Sequence, residues 1–320
     1  MNIQETVETC NIILTQIGSH IIGKDAVLRQ VMLCLLADGH ILFEDYPGLA
    51  KTMICRSFAS VLGCEFNRIQ FTPDLLPQDL TGSEIYNQKV NDFEFKPGPL
   101  FADIILADEI NRATPKTQSA LLEAMGEYQV TIGGKTYHLT SSEKPFLVVA
   151  TQNPLELEGT FALPEAQIDR FLSKIRIGYP SRTDEAKILT NRINRKSKSF
   201  SLSQIITKDV FRKMQQIVET VSVSDEIKDY IVEIVDRTRK APQVRVGASP
   251  RGSLDLMALA RANAVLSARD YVIPQDVKEL APLTLSHRII LNIGSFIAGG
   301  SSEEVVSRIL TNVKAPRKEL

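Results

Sequence analysis

Residues 40–52 read HILFEDYPGLAKT: an apolar run is followed by a proline–glycine turn and then by Lys51 and Thr52. The run at 40–45 predicts a short buried strand, and the pattern from residue 51 to residue 62 predicts a helix. A turn between a strand and a helix suits phosphate binding, because backbone N–H groups and the helix N-terminus face the anion. In such a loop the lysine reaches the β- and γ-phosphates, and the threonine hydroxyl binds Mg²⁺.

The loop departs from the strict phosphate-loop pattern, G-x-x-x-x-G-K-[ST], at both glycine positions. Asp45 and Ala50 stand there instead. Taken alone, the segment therefore also fits an ordinary strand-to-helix turn with a lysine in the first helical turn.

The chain on either side of this loop alternates between helical and strand patterns. Apolar residues recur at helical spacing in residues 1–19, 25–37 and 114–125, and short apolar runs mark strands at 65–71, 104–107, 146–151 and 173–177. Strands separated by helices predict an α/β fold with a parallel sheet and helices on both faces. Two hairpins are predicted at 81–96 and 129–139, the second with Gly133 and Gly134 at its turn.

The pattern changes near residue 180, after Tyr179 and Pro180. From there the sequence predicts only helices, at 184–195, 209–221, 224–238, 250–266 and 275–285, with a loop at 240–248. We therefore expect an α/β domain at residues 1–180 and a smaller, all-helical domain at 181–320.

Two carboxylates end the predicted strand at 104–107, which continues IILADE into Asp108 and Glu109. In a parallel sheet, such a pair lies at the carboxyl edge, where ligands bind. Asp108 would hold Mg²⁺ through its water shell, and Glu109 would polarise an attacking water as a general base. The alternative is a strand-end pair that faces solvent.

Three further residues suit phosphate chemistry. The amide of Asn153, in ATQNP, can position a water beside Glu109, although Asn-Pro also marks a plain turn. Arg170, in EAQIDRF, can stabilise phosphoryl transfer, although it can also form a surface ion pair. Arg251, in GASPRG, lies at a helix start, where the macrodipole disfavours a cation unless an anionic partner is present.

Composition excludes several classes of protein. The chain has 320 residues, with 37 Lys and Arg against 38 Asp and Glu, so no overall basic excess favours nucleic acid or an anionic membrane. Its four cysteines form no C-x-x-C pair, which gives a zinc or redox motif no support and favours a reducing compartment. Neither a signal peptide nor a membrane-length apolar run is visible, so we expect a soluble, cytoplasmic protein.

Taken together, these segments resemble the MoxR family of AAA+ ATPases over nearly the whole chain. The likeness rests on PGLAKT, FTPDLLPQDLTG, ADEINRA, GEYQVTIGGKTY, ATQNP, ALPEAQIDRF and GASPRG. The resemblance implies a P-loop NTPase domain of three αβα layers with sheet order 5-1-4-3-2, a C-terminal helical lid, a nucleotide between the two domains, and a ring that is a hexamer.

The resemblance also implies roles for particular residues. Lys51 and Thr52 match Walker A, with Pro47, Gly48, Leu49 and Ala50 completing the ATP-binding loop. Asp108 and Glu109 match Walker B, Asn153 matches sensor 1, Arg170 the arginine finger and Arg251 sensor 2. Ile22 and Gly23 fall where the family meets adenine, next to Lys24, where a glutamine is usual. The notable departure is Asp45, where the family usually has glycine.

The activity implied is ATP hydrolysis with Mg²⁺, coupled to the remodelling of partner proteins, often proteins with a von Willebrand factor A domain. Two alternatives remain open at this point. One is a nucleotide-dependent scaffold with weak turnover, and the other is a nucleic-acid motor or chelatase-type subunit, against which the near-neutral charge argues.

Asp45 carries a separate expectation. A carboxylate about 8 Å from the phosphates, at an effective dielectric near 20, would weaken binding by about 2 kcal/mol before salt screening. Asp45→Gly should then tighten ATP binding, unless the side chain points away from the phosphates.

Overall fold

A computed structural model describes residues 1–89, 91–141, 144–154, 159–197 and 200–316. Before residue 176 the helices are α1 (Ile3–Gly18), α2 (Asp25–Leu36), α3 (Lys51–Leu62), α4 (Pro77–Thr81), α5 (Pro115–Glu127) and α6 (Glu165–Ile168). The strands are β1 (Ile41–Glu44), β2 (Phe66–Gln70), β3 (Gly82–Asn87), β4 (Asp92–Pro97), β5 (Ile104–Asp108), β6 (Gln129–Ile132), β7 (Lys135–His138), β8 (Leu147–Gln152) and β9 (Ser173–Ile175). Short 3₁₀ turns lie at Pro99–Phe101 and Ile110–Arg112.

Five strands form one parallel sheet in the order β2-β5-β8-β1-β9. Counted among these five strands alone, that order is 5-1-4-3-2, so the fold implied by the resemblance is confirmed. Gln70 pairs with Asp108, and Ala107 pairs with Ala150, one residue before Thr151. The register therefore aligns the carboxyl ends of β2, β5 and β8 at one edge.

The sheet is buried on both faces, which explains the continuous apolar runs in its central strands. Side chains alternate along a strand, so Ile104 and Leu106 pack in the layer that contains α1, α2 and α3. Ile105 and Ala107 pack in the opposite layer with α4 and α5.

Both predicted hairpins are present outside the sheet, as β3 with β4 and as β6 with β7. Gly133 and Gly134 have φ of 56° and 78° at the second turn. Positive φ at both central residues is what a two-residue hairpin turn requires, and glycine adopts it without steric conflict.

The chain after residue 181 forms a group of helices that we call the lid. Its helices are α7 (Arg182–Arg195), α8 (Lys208–Glu219), α9 (Asp225–Lys240), α10 (Pro250–Leu266), α11 (Pro274–Leu285), α12 (Ile293–Ile297) and α13 (Ser302–Asn312), with a 3₁₀ turn at Ser286–Arg288. The first five helices correspond to predicted ones. The loop expected at 240–248 instead contains β10 (Val244–Val246), which pairs with β11 (Ile290–Leu291). Strands this short leave no local pattern, and α12 and α13 were also not predicted.

The lid packs against the layer of the sheet domain that contains α1 and α2. Helices α8 and α10 contact α1 and α2, and α11 contacts β9. Apolar side chains of both parts form one continuous buried cluster, to which α7 contributes no buried residue. Within the described ranges, no helix combines the length and apolarity needed to cross a bilayer.

Candidate nucleotide site

The loop between β1 and α3 turns sharply at two residues with positive φ. Gly48 has φ 85°, and Ala50 has φ 64° directly before α3 begins at Lys51. Ala50 is an L-residue in the left-handed region, a strained conformation that is common at ligand-binding sites. Because Ala50 provides no side-chain cap, the first N–H groups of α3 remain available to an anion.

This loop forms one wall of a cavity of about 390 Å³. The lining residues are 47–53 of the loop together with Arg68, Asp108, Glu109, Thr151 and Asn153. The volume lies within the range of about 300–1,000 Å³ typical of ligand pockets. The fold thus brings together most predicted site residues, namely Pro47, Gly48, Leu49, Ala50, Lys51, Thr52, Asp108, Glu109 and Asn153.

Lys51 places a cation inside the loop. Its Nζ donates a hydrogen bond to the backbone carbonyl of Asp45. Burial lowers the pKa of Lys51, while the nearby carboxylates of Asp45, Asp108 and Glu109 act in the opposite direction. An incoming triphosphate would add negative charge next to this partly desolvated ammonium and so favour its charged form.

Asp108 is held by the two strands that flank β5. Its Oδ1 accepts a 2.6 Å hydrogen bond from the Thr151 hydroxyl, and its Oδ2 accepts from Nε and Nη2 of Arg68 at 3.1 and 2.7 Å. Neither Thr151 nor Arg68 was predicted as a site residue. The available signal was their position at the ends of strands predicted to flank the Asp-Glu pair.

Glu109 follows with a left-handed backbone, at φ 57°. Its N–H donates to the Thr151 hydroxyl at 2.8 Å. Its Oε2 accepts from Gln70 Nε2 at 2.7 Å and from Arg112 Nη1 at 2.9 Å. One oxygen of the expected general base is therefore occupied by two donors, and Gln70 is a further residue that sequence reasoning missed.

Asn153 lies at the same edge of the sheet and is 7% exposed. Its backbone carbonyl accepts from Nδ2 of Asn111, a side chain that is itself buried. Asn153 and Glu109 both line the cavity.

The oxygen atoms that line the cavity are suitable ligands for Mg²⁺. Carboxylate and hydroxyl oxygens are hard ligands, and Mg²⁺ in nucleotide sites usually combines one or two of them with phosphate oxygens and waters. Thr52 and Asp108 provide such oxygens. No cluster of three or more His, Cys, Asp or Glu side chains that could hold a metal occurs in the part of the chain described here.

The fold does not bring Arg170 or Arg251 to this cavity. Arg170 donates to the carbonyl of Leu122 on α5. Arg251, in the first turn of α10, is close enough to His40 for its charge to lower the pKa of that imidazole. His40 precedes β1, whereas the phosphate loop follows β1, so Arg251 lies towards the opposite edge of the sheet.

Ile22 and Gly23 also lie outside the cavity lining, in the turn before α2. Gly23 has φ 71°, and a Cβ built there would approach Asp184 Oδ2 to 2.5 Å. A glycine is required because the turn packs directly against the start of α7.

The Asp45 carboxylate is bound by backbone N–H groups, and its Oδ1 accepts from the N–H of Tyr46 at 2.9 Å. Its Oδ2 accepts from the backbone N–H groups of Ile177 and Gly178 at 2.7 and 2.6 Å. Lys24 Nζ donates to the carbonyls of the same two residues at 3.1 and 2.7 Å. Asp45 and Lys24 thus bind the segment between β9 and α7 from two sides, and we call this arrangement the clamp. It favours the alternative in which the Asp45 side chain does not repel the phosphates.

The parallel sheet, the loop that ends in Lys51 and Thr52, and the adjoining carboxylate pair define a P-loop NTPase of the AAA+ class. Residues 40–173 match the model of the ATPase family associated with various cellular activities (AAA), and residues 236–309 match the AAA lid domain.

Similar proteins narrow this class to a family. YeaC, an uncharacterised protein of Bacillus subtilis, is 51% identical, with 92% of this chain and 91% of YeaC covered. Chaperone MoxR1 of Mycobacterium tuberculosis is 43% identical, with 97% of this chain and 83% of MoxR1 covered. A solved structure of a candidate ATPase from Cytophaga hutchinsonii has a TM-score of 0.91 at 40% identity and covers 98% of this chain and 97% of its own. The chain belongs to the MoxR family of AAA+ ATPases.

Proposed function

We propose that this protein hydrolyses ATP with Mg²⁺ and uses that reaction to remodel or assemble partner proteins. The observation that carries the proposal is the meeting of Lys51 and Thr52 with Asp108 and Glu109 in one cavity. The chaperone name of a relative that is 43% identical supports protein partners.

The predicted site residues have distinct tasks, both inside the cavity and at Ile22 and Gly23 outside it. Lys51 and the first N–H groups of α3 bind the phosphates, and Thr52 and Asp108 would hold Mg²⁺, which would neutralise phosphate charge. Glu109 accepts a proton from the attacking water, which Asn153 orients. Ile22 and Gly23 contact the adenine.

Arg170 and Arg251 act on the nucleotide of a neighbouring copy, because neither lines the cavity of its own chain. This arrangement requires a ring, which we take to be a hexamer, with a core at residues 1–180 and a lid at 181–320. The partners include proteins with a von Willebrand factor A domain, and the protein works in the cytoplasm.

Glu109→Gln tests the proposal, with the exposed Glu123→Gln on α5 as a matched control. An amide cannot accept the proton of the water, so phosphate release should fall by about 10²–10⁴-fold. ATP affinity by calorimetry should be unchanged in Glu109→Gln and strongly reduced in Lys51→Ala. Wild-type turnover by Glu109→Gln would contradict the proposal, and so would unchanged ATP affinity in Lys51→Ala.

A further inference from the structure

One carboxylate joins the segments that carry the two remote arginines. Asp169 directly precedes Arg170 in the core, and its Oδ2 accepts from the hydroxyl of Ser249 at 2.8 Å. Ser249 is the N-cap of α10 and accepts from the N–H of Arg251 at 3.1 Å. A chain of two hydrogen bonds therefore links the residue before Arg170 to the backbone of Arg251.

A buried guanidinium completes the link. The side chain of Arg288 is 1% exposed, and its Nε donates to Asp169 Oδ1 at 2.8 Å. Its Nη2 also donates to the carbonyls of Asp169 and Phe171, at 3.1 and 2.7 Å, on either side of Arg170. The same group pairs with Asp255 on α10, one helical turn after Arg251.

This network determines geometry more than it provides stability. A buried ion pair gives little net stabilisation compared with well-packed apolar residues, because both charges lose their hydration. What it does provide is direction, because a planar guanidinium with several fixed acceptors permits few arrangements. Here the arrangement fixes residues 169–171 of the core relative to the first turns of α10 in the lid.

We propose that Asp169 and Arg288 are positioning residues that hold Arg170 and Arg251 as one rigid unit facing the nucleotide of a neighbouring copy. This inference rests on the proposed function, in which both arginines act in trans. It adds that neither arginine is placed independently, because Asp169 and Arg288 join the backbone on either side of Arg170 to the first turns of α10.

Asp169→Asn removes the charge while leaving Asp255 to pair with Arg288. A misplacement of about 1 Å can reduce turnover about 10²-fold, so we expect a fall of that order in kcat. ATP affinity should stay within about twofold of wild type, since the cavity of the same chain is intact. Hydrogen exchange of the amides of residues 169–172 and 250–255 should increase in the variant without added nucleotide.

Ser249→Gly provides a second variant that is expected to fold. Glycine is well tolerated at an N-cap, yet it has no hydroxyl with which to bond to Asp169. Ser224→Gly, at the N-cap of α9, is the matched control. We expect reduced kcat in Ser249→Gly and wild-type kcat in Ser224→Gly.

Two combinations separate positioning from a purely structural role. In an Arg170→Ala, Arg251→Ala background, Asp169→Asn should add little further loss, because the groups that it positions are already absent. Asp169→Asn subunits should also recover some activity when they are mixed with Glu109→Gln subunits. Some interfaces in such mixtures pair an intact Glu109 with an intact Asp169 and Arg170. Arg170→Ala subunits should behave in the same way. The inference would be overturned if Asp169→Asn reduced kcat by the same factor in the double-alanine background as in wild type. Absence of recovered activity in verified mixed rings would overturn it as well.

Failure of this inference differs from failure of the proposed function. If wild type hydrolyses ATP and Asp169→Asn does so equally fast, the positioning role is wrong while the ATPase remains. If wild type neither binds nor hydrolyses ATP, the proposed function itself is wrong.

Discussion

At the scale of single residues, Gln70 occupies one oxygen of Glu109, the expected general base. Its Nε2 donates to Glu109 Oε2, the oxygen that also accepts from Arg112. Both of these donors are within hydrogen-bond distance, at 2.7 and 2.9 Å, so this oxygen is already engaged by the protein. A water could bond to Oε2 only by replacing one of these two donors.

Gln70→Ala should release Glu109 and raise ATP turnover in the absence of a partner protein. A hydrogen bond to a charged group contributes about 1.5 kcal/mol, so the increase should be about tenfold if this bond alone restrains the base. Steady-state phosphate release measures it, and Gln78→Ala on the surface of α4 is the control. Turnover below that of wild type would show that Gln70 positions Glu109 for catalysis instead of restraining it.

At the scale of elements, the clamp on the segment between β9 and α7 replaces the role first expected for Asp45. The carboxylate accepts two backbone N–H groups from this segment, and Lys24 donates to its two carbonyls. Asp45 and Lys24 are 7% and 8% exposed. Two buried charges with these partners fix where the chain enters the lid.

Asp45→Asn should consequently destabilise the fold without tightening ATP binding. The amide retains the shape but loses the charge-assisted bonds, which should cost about 1–3 kcal/mol of unfolding free energy. Urea denaturation measures that loss, with exposed Asp229→Asn as control. Calorimetry at low and moderate salt should give ATP affinities equal to wild type. Tighter binding at low salt only would restore the view that Asp45 repels the phosphates.

Elements with strong local signals could be predicted from the sequence. The observed α3 and α10 have the predicted bounds, because each begins directly after a turn and α10 starts with Pro250. The pairing of β10 with β11 could not be predicted, since it joins short segments more than forty residues apart.

At the candidate site, too, only local sequence patterns could be predicted, whereas contacts between distant segments could not. The phosphate loop and the Asp-Glu pair are local patterns in the sequence. By contrast, Arg68, Gln70 and Thr151 meet them only through the order and register of three parallel strands. A polar residue at a strand end does not reveal which strand lies beside it, so these contacts required the fold.

At the scale of the whole molecule, the buried His40 and the partly buried His287 tie separate layers together in their neutral form. His40 Nδ1 accepts from the N–H of Val148 on β8, and Nε2 donates to the carbonyl of Met125 on α5. His287 Nε2 donates to the carbonyl of Phe171 and so joins the lid to the core. Burial lowers the pKa of His40 to about 4 and lowers the pKa of His287 well below its usual value.

These shifts predict that the fold loses stability in mild acid. Unfolded histidine titrates near 6.5, whereas folded His40 titrates at about 4. Between these values the unfolded state binds more protons, so the free energy of unfolding rises with pH. The stabilisation is complete above pH 6.5, falls as pH drops and levels off below pH 4. At about 1.4 kcal/mol per unit, the His40 contribution is about 3 kcal/mol, and His287 acts in the same direction.

Urea denaturation of wild type and His40→Gln between pH 7.5 and 5 measures this effect, with exposed His138→Gln as control. Asp255 acts in the opposite direction, because burial raises the pKa of this carboxyl to about 6, so that its folded form gains protons first. The diagnostic quantity is therefore the difference in slope between wild type and variant, in which the Asp255 contribution cancels. His40→Gln lowers stability at pH 7.5 but should show a flatter pH dependence below 6.5, whereas His138→Gln should follow wild type. Parallel curves for wild type and His40→Gln would mean that His40 does not link protons to folding.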